Sequence, residues 1–236
     1  MSAHAVTAIL DAPNLDATSW LVWQLADSAF PAGGFAHSGG LEAVAQNGEI
    51  KSAADLENFL HAALQQTAHG SLPFVGAGFN ALVPFAEVDW LFDAFTPNHV
   101  ANRASRAQGQ AWLASAERSF GSPAIAELRE TVLRDALPGH FAPVFGAVAR
   151  ALGVECATAL RLFVFLQLRG WTSSAVRLGI IGPLQAQAIQ HRLSAHAESV
   201  AKLGRELSLD DAAQTAPLLD LFHTTHDRLY SRLFQS

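Results

Sequence analysis

The stretch Ser52-Ala53-Ala54-Asp55-Leu56-Glu57-Asn58-Phe59-Leu60-His61-Ala62-Ala63-Leu64-Gln65-Gln66-Thr67-Ala68-His69-Gly70 carries the plainest structural signal in the chain. Leu56, Phe59, Leu60, Ala63, Leu64 and Thr67 recur at steps of three and four, the spacing that puts side chains on one face of an α-helix. Ser52, three residues before Asp55, has the form of a capping box with an aspartate reaching back. Gly70 is expected to end the helix.

Working outward, the same period continues. Thr18 or Ser19 is expected to cap a helix running through Ala26, and another opens near Ser38. Pro97 opens a longer polar helix, Asn98 to Phe120, punctuated by Gly121-Ser122-Pro123. Helices follow over Ala124 to Ala136, Phe141 to Leu152 and Glu155 to Leu168, the last closed by Gly170 and apolar nearly all round, as a buried helix would be. Pro183 or Leu184 starts another through Leu203, and Pro217 starts the last, through about Tyr230. Alternating runs rich in valine, isoleucine, threonine and tyrosine are nearly absent, so strand signals are weak. The reading is an all-α chain: a single domain of roughly ten packed helices at ordinary helix lengths. Residues 1–17 are expected to form a flexible tail, 18–229 the helical domain, and 230–236 a C-terminal tail that binds a partner.

Composition narrows function. The chain has 236 residues, 50% apolar and only 15% charged, against about 25% charged in ordinary soluble domains. So few charges suggest that part of the surface is covered by another subunit or partner. The net charge is −6 and the only lysines are Lys51 and Lys202, which argues against nucleic acid as a partner. The single cysteine, Cys156, sits in an apolar run and reads as a small buried hydrophobe; one cysteine suits a reducing compartment. The N-terminus lacks a signal-peptide pattern, and the apolar stretch Leu72 to Val88 is broken by Pro73, Gly76, Gly78, Asn80 and Pro84. The expectation is a cytoplasmic protein without a membrane span.

The loop Asp27-Ser28-Ala29-Phe30-Pro31-Ala32-Gly33-Gly34-Phe35-Ala36-His37-Ser38-Gly39-Gly40-Leu41-Glu42 concentrates glycine, proline and phenylalanine between two helices. Such a loop is shaped for a sharp turn, a tight contact or a docking surface. It lacks the lysine that a phosphate-binding loop places after its glycines, and Glu42 would repel phosphate. Ala36-His37-Ser38-Gly39-Gly40 has the outline of a nucleophile elbow, giving the alternative of a serine hydrolase acting through Ser38. That motif needs a strand before the serine, however, and this one is broken by proline and glycine; Ser38 as a helix N-cap is the competing structural role. His223 and His226 lie three apart and would share a helix face, but no His-Glu-x-x-His or cysteine pair accompanies them, so no metal site is assigned. The ending Asp227 to Ser236 interleaves Tyr230, Leu233 and Phe234 with Arg228 and Arg232, residue types that anchor interfaces.

Four blocks together resemble the urease accessory protein UreF family: Leu25 to Glu42; Arg103-Ala104-Ser105-Arg106-Ala107-Gln108-Gly109-Gln110; His140-Phe141-Ala142-Pro143-Val144-Phe145-Gly146 with Ser174-Ala175-Val176-Arg177-Leu178; and Tyr230 to Ser236. They occur in the family's order over residues 20 to 236. The proline-leucine-glycine-glutamine turn usual after the Val-Arg-Leu block has only a loose counterpart in Gly179 to Gln185. The resemblance implies an all-α fold and a non-enzymatic role. It implies a homodimer that binds UreD (UreH in some species), presents a surface to the GTPase UreG, and docks on apo-urease during nickel insertion. Nickel and GTP would be handled by those partners, with no cofactor bound tightly here. In that picture the contact residues are Phe30, Pro31, Gly33, Gly34, Phe35, His37, Ser38, Gly39, Gly40, Leu41 and Glu42 in the loop, and Arg228, Tyr230, Arg232, Leu233 and Phe234 at the end. The C-terminal segment would become ordered against UreD.

Overall fold

The computed structural model describes residues 15–236, with side chains from Thr18 onward. The expected N-terminal tail therefore lies outside the described residues up to position 14. Among the described residues there are twelve α-helices, three short 3-10 turns and no strand. They cluster into two compact units that part between Phe30 and Pro31. The first holds α1 (Leu15–Ala26), which begins before Thr18 and shows Trp20 and Trp23 edge to face on its exposed side.

The second unit contains α2 (Leu41–Gln46), α3 (Ala53–Gly70), α4 (Leu72–Asn80), α5 (Phe85–Phe95), α6 (His99–Phe120) and α7 (Pro123–Arg134). It continues with α8 (Phe141–Ala151), α9 (Cys156–Arg177), α10 (Pro183–Arg192), α11 (Ser194–Gly204) and α12 (Pro217–Thr224). In α3 the expected cap forms. Ser52 Oγ accepts from Asp55 N, while the Asp55 carboxylate accepts from Lys51 N and Ser52 Oγ. Leu56, Phe59, Leu60, Ala63, Leu64 and Thr67 are all buried.

The helices depart from the sequence reading where burial outweighs local propensity. Gly170 does not stop α9. A mid-helix glycine costs about 1 kcal/mol relative to alanine, but Trp171, Thr172, Ser174 and Ala175 beyond it are buried and carry the helix on to Arg177. The segment expected as one helix from Pro183 to Leu203 breaks at Leu193 into α10 and α11. The last helix ends at Thr224 and passes into a 3-10 turn, Thr225–Arg228. Leu72 to Asn80, part of the apolar stretch whose proline and glycines argued against a membrane span, is a helix. Gly78 in it and Gly146 in α8 serve close approach, whereas Gly76 faces open space. A Cβ on Gly146 of α8 would lie 2.0 Å from Val75 O of α4, and one on Gly78 would lie 2.3 Å from Pro143 O. The two backbones touch there, which only glycine permits.

Around this crossing sit Trp112, Phe141, Phe145 and Phe163, with ring centroids 5.1–5.8 Å apart. Each well-oriented aromatic pair adds about 0.5–1.5 kcal/mol beyond its buried area. Cys156 is only part-buried at the start of α9, and burial pushes its thiol above the ordinary value.

Candidate functional site

The glycine loop and the C-terminal segment, nearly two hundred residues apart in sequence, meet in space. After a 3-10 turn at Gly34–Ala36, the chain turns through Gly39 (φ 60°) and Gly40 (φ 86°) into α2. A Cβ on Gly39 would lie 2.5 Å from Trp171 Nε1, so both the positive φ and the indole of α9 require glycine. Gly40 packs on His223 of α12, and Pro31 O accepts from Ser115 Oγ of α6. This corner holds the segment Leu229 to Ser236, here called the strap.

The strap is held largely through its main chain. Leu233 N donates to Glu42 Oε1 at 2.7 Å and Phe234 N to Oε2 at 3.1 Å. Gln235 N donates to Ala36 O, Ser38 N to Ser236 O, and Gln46 Nε2 to Ser231 O. Ser38 Oγ donates to Ser236 O at 3.0 Å, and His37 Nδ1 lies 2.6 Å from Ser236 Oγ. Glu42 is only 1% exposed. His226 Nε2 lies 3.1 Å from Oε2 and Gln46 Nε2 donates to Oε1 at 3.4 Å, so one buried carboxylate gathers two main-chain donors, an imidazole and an amide. Hydrogen bonds to a charged group contribute about 1.5–3 kcal/mol each. Phe234, 4% exposed, plugs the corner beneath Arg177. The Arg177 guanidinium lies 4.1 Å from the Phe234 ring centre and 3.7 Å from that of Phe35, and donates to Phe35 O.

Beside the strap, Asp227 accepts a bidentate pair from Arg103 of α6 at 2.9 and 3.2 Å. Arg232 and His99 each lie 3.3 Å from it. Arg103's hydrogen bonds are the main cause holding the Asp227 carboxyl below its usual range. Three imidazoles share this neighbourhood. Burial, then the Arg103 charge, then His226 hold His37 below the ordinary imidazole value. Burial, reinforced by His226, His37 and Arg103, lowers His223 to about 4. His223 Nε2 and His226 Nδ1 are buried without a hydrogen-bond partner.

The sequence-derived contact residues thus divide by direction. Ser38, Leu41, Glu42 and Phe234 point inward and build the corner. Phe35 (73% exposed), Leu233 (52%) and the fully exposed Tyr230 face outward, with Arg228 and Arg232 exposed beside them. Phe30 belongs to the N-terminal unit. Ser38 is not the N-cap of α2, a place taken by Gly40, although its Oγ accepts a long bond from Glu42 N at 3.4 Å. The elbow reading fails on geometry: no strand precedes Ser38 among the described residues, and its hydroxyl is spent on Ser236. His223 and His226 do not share a helix face, because the helix ends between them. Among the described residues no group of three or more His, Cys, Asp or Glu is placed to hold a metal ion.

Sequence reasoning did not give Arg103, Arg177 or Gln46 these roles. The first two stand inside the quoted blocks, so the signal was present as an arginine ending an apolar helix and an arginine heading a polar one.

A second polar cluster lies apart from the corner. Asp89 accepts from Gly139 N and His140 N at 2.7 and 2.8 Å, capping α8. His140 bridges Asp93 Oδ1 at 3.0 Å and Ser105 Oγ at 3.1 Å, and Ser105 also accepts from Phe141 N. Burial raises Asp89 and lowers His140, while Asn102's hydrogen bond chiefly lowers Asp93. Although Ser105, His140 and Asp93 are the residue types of a hydrolytic triad, the imidazole is fully buried and the serine receives a main-chain N–H. The cluster anchors the start of α8.

Fold and site together define an all-helical protein whose distinguishing surface is a glycine corner closed by its own C-terminal strap. A family model described as UreF matches residues 50–194, a span that includes Arg103 and Arg177. The chain is 38% identical over 225 residues to "Urease accessory protein F" of Arabidopsis thaliana, covering 92% of each chain. It is 36% identical over 219 residues to the protein of that name in Oryza sativa subsp. indica, covering 91% of this chain and 84% of the relative. It is also 33% identical over 218 residues to "Urease accessory protein UreF" of Arthrobacter sp. (strain FB24), covering 90% and 95%. The chain belongs to the UreF family, whose members serve as accessory proteins. Among the described residues no helix is long and apolar enough to cross a membrane.

Proposed function

We propose that this chain is a non-catalytic adaptor in urease maturation, bridging UreD (UreH) and the GTPase UreG on apo-urease so that GTP-dependent nickel delivery can proceed. It works in the cytoplasm as a homodimer, with nickel and nucleotide held by its partners. The observation that carries the reading is the convergence of corner and strap. Two segments with interface-type residues form one surface, inward contacts fix its backbone, and Phe35, Tyr230 and Leu233 are left exposed beside Arg228 and Arg232. Aromatic and arginine side chains on a rigid frame are what a docking surface needs, because little ordering entropy remains to be lost on binding.

Co-expression with UreD and UreG tests it. The full chain should co-elute with UreD on size exclusion, and the triple change F35A/Y230A/L233A should lose that complex while leaving the helical circular dichroism unchanged. Removing residues 230–236 should have the same effect on the complex. Undiminished co-elution of both variants would refute this surface, and absence of any complex with the wild-type chain would refute the adaptor role.

A further inference from the structure

The strap is ordered against its own chain, and the groups around it are unusual for a structural contact. The corner supplies His37 and Glu42, and α12 supplies His223 and Asp220, the latter tied to Asn98. The following turn supplies His226, Asp227 and Arg228. Opposite them α6 supplies His99 and Arg103, α9 supplies Arg177, and the strap itself brings Arg232 and Tyr230. Only one carboxylate in this set, Glu42, is buried, and the strap's main chain and His226 already occupy it. His37 and His223 face Arg103 and each other with no carboxylate as a hydrogen-bond partner, and His223 Nε2 is sealed from any partner.

We infer that the strap is a proton-operated latch: closed on Glu42 near neutral pH, and released on mild acidification while the helical body stays folded.

The physical argument concerns which state takes up protons. Closed, His37 and His223 are neutral, because a charge there would be desolvated and would sit beside a guanidinium. His37 spends its Nδ1 on Ser236 Oγ, so strap departure frees that atom and opens the pocket to water. An imidazole that is neutral when closed and has its ordinary affinity when open favours opening by about 30-fold at pH 5, and by only about 1.1-fold at pH 7.5. The aromatic cluster and the α4–α8 crossing contain none of these groups, and the body's own buried imidazole, His140, lies apart from the strap and keeps Asp93 and Ser105 as partners. The inference goes beyond the adaptor reading: it concerns the strap alone and is read without any partner.

Hydrogen–deuterium exchange on the full chain tests it, corrected for the intrinsic pH dependence of exchange. The reporters are the amides of Phe234, bonded to Glu42, and Gln235, bonded to Ala36 O. From pH 7.5 to pH 5.0 their protection should fall by more than about 30-fold, since two imidazoles contribute, while the amides of Phe163 and Val164 in α9 stay protected. In H37N/H223L the strap should stay protected at both pH values. Should that variant fail to fold, H37N alone should lose at least half of the wild-type pH response on a logarithmic scale. E42Q should leave the strap unprotected at both. The inference is overturned if wild-type protection is the same at both pH values, or if α9 opens together with the strap. It is equally overturned if the histidine variants respond like the wild type, or if E42Q keeps the strap closed.

Discussion

Replacing Arg177 separately by methionine and by lysine distinguishes stacking from charge at the point where α9, the glycine corner and the strap join. The guanidinium lies between two rings, 3.7 Å from the centre of Phe35 and 4.1 Å from that of Phe234, and donates to Phe35 O. Because Phe35 is largely exposed, each ring contact is taken at the weaker end, about 0.5–1 kcal/mol. The hydrogen bond to the carbonyl adds about 1 kcal/mol. R177M should therefore weaken strap closure by about 2–3 kcal/mol, which is about 30- to 150-fold in the closing equilibrium. R177K keeps the charge but loses the plane and the fork, and should cost about 1–2 kcal/mol. Amide exchange at Phe234 and Gln235, at fixed pH 7.5, reads the closing equilibrium directly. Urea unfolding reads it only up to the strap's own stability, since an opened strap no longer contributes. The reasoning is refuted if R177M leaves Phe234 protection within threefold of wild type, or if R177K equals wild type while R177M does not. The latter result would mean that charge alone holds the strap.

Other outcomes follow from the same geometry. Gly39→Ala should destabilise by about 2 kcal/mol or more, through its left-handed φ together with the Trp171 clash, whereas Gly48→Ala, at φ 80° with open space around it, should lose only about 1 kcal/mol; equal urea midpoints for the two would count against the Trp171 contact. Gly146→Ala must separate α4 from α8 and should lower stability by about 3 kcal/mol or more, or prevent soluble expression; a thermal midpoint within a degree of wild type would contradict the backbone crossing. His37, His140 and His223 all sit below the ordinary imidazole value when folded, so the unfolded chain binds more protons in mildly acid solution. Their contribution to stability is complete above about pH 6.5 and is lost as pH falls toward their folded values. Asp89, raised by burial, works in the opposite sense across the carboxylate range. The thermal midpoint should therefore drop between pH 7.5 and pH 5.5, and a flat or rising profile would be inconsistent with neutral buried imidazoles.

The helical class was legible because its cause is local. The Ser52–Asp55 cap and the apolar face from Leu56 to Thr67 are written within nineteen residues, and both form as read. Boundaries failed where the deciding contact was distant. Nothing near Gly170 says that Trp171 and Ala175 will be buried, and nothing near Gly78 says that Pro143 will lie against it. The site was legible in halves. Glycine, proline and aromatic residues marked the corner, and tyrosine, phenylalanine and arginine marked the chain's end. Their joining rests on Glu42 accepting from residues 191 and 192 positions away, and no spacing rule reports a pairing of that range. The inward turn of Phe234 was hidden for the same reason: residue type announces an anchor but not whose pocket it fills.

The strap's partners in the corner also set when the surface can exist. Helices such as α3 and the α10–α11 pair can form from neighbouring residues, but loop closure over such a separation is slow relative to local structure. During synthesis the glycine corner must wait for residues 226–236, with Glu42 uncapped until they arrive. A nascent chain thus lacks the finished surface until residues 229–236 have emerged and folded back on the corner, so recruitment through this face comes after that folding step.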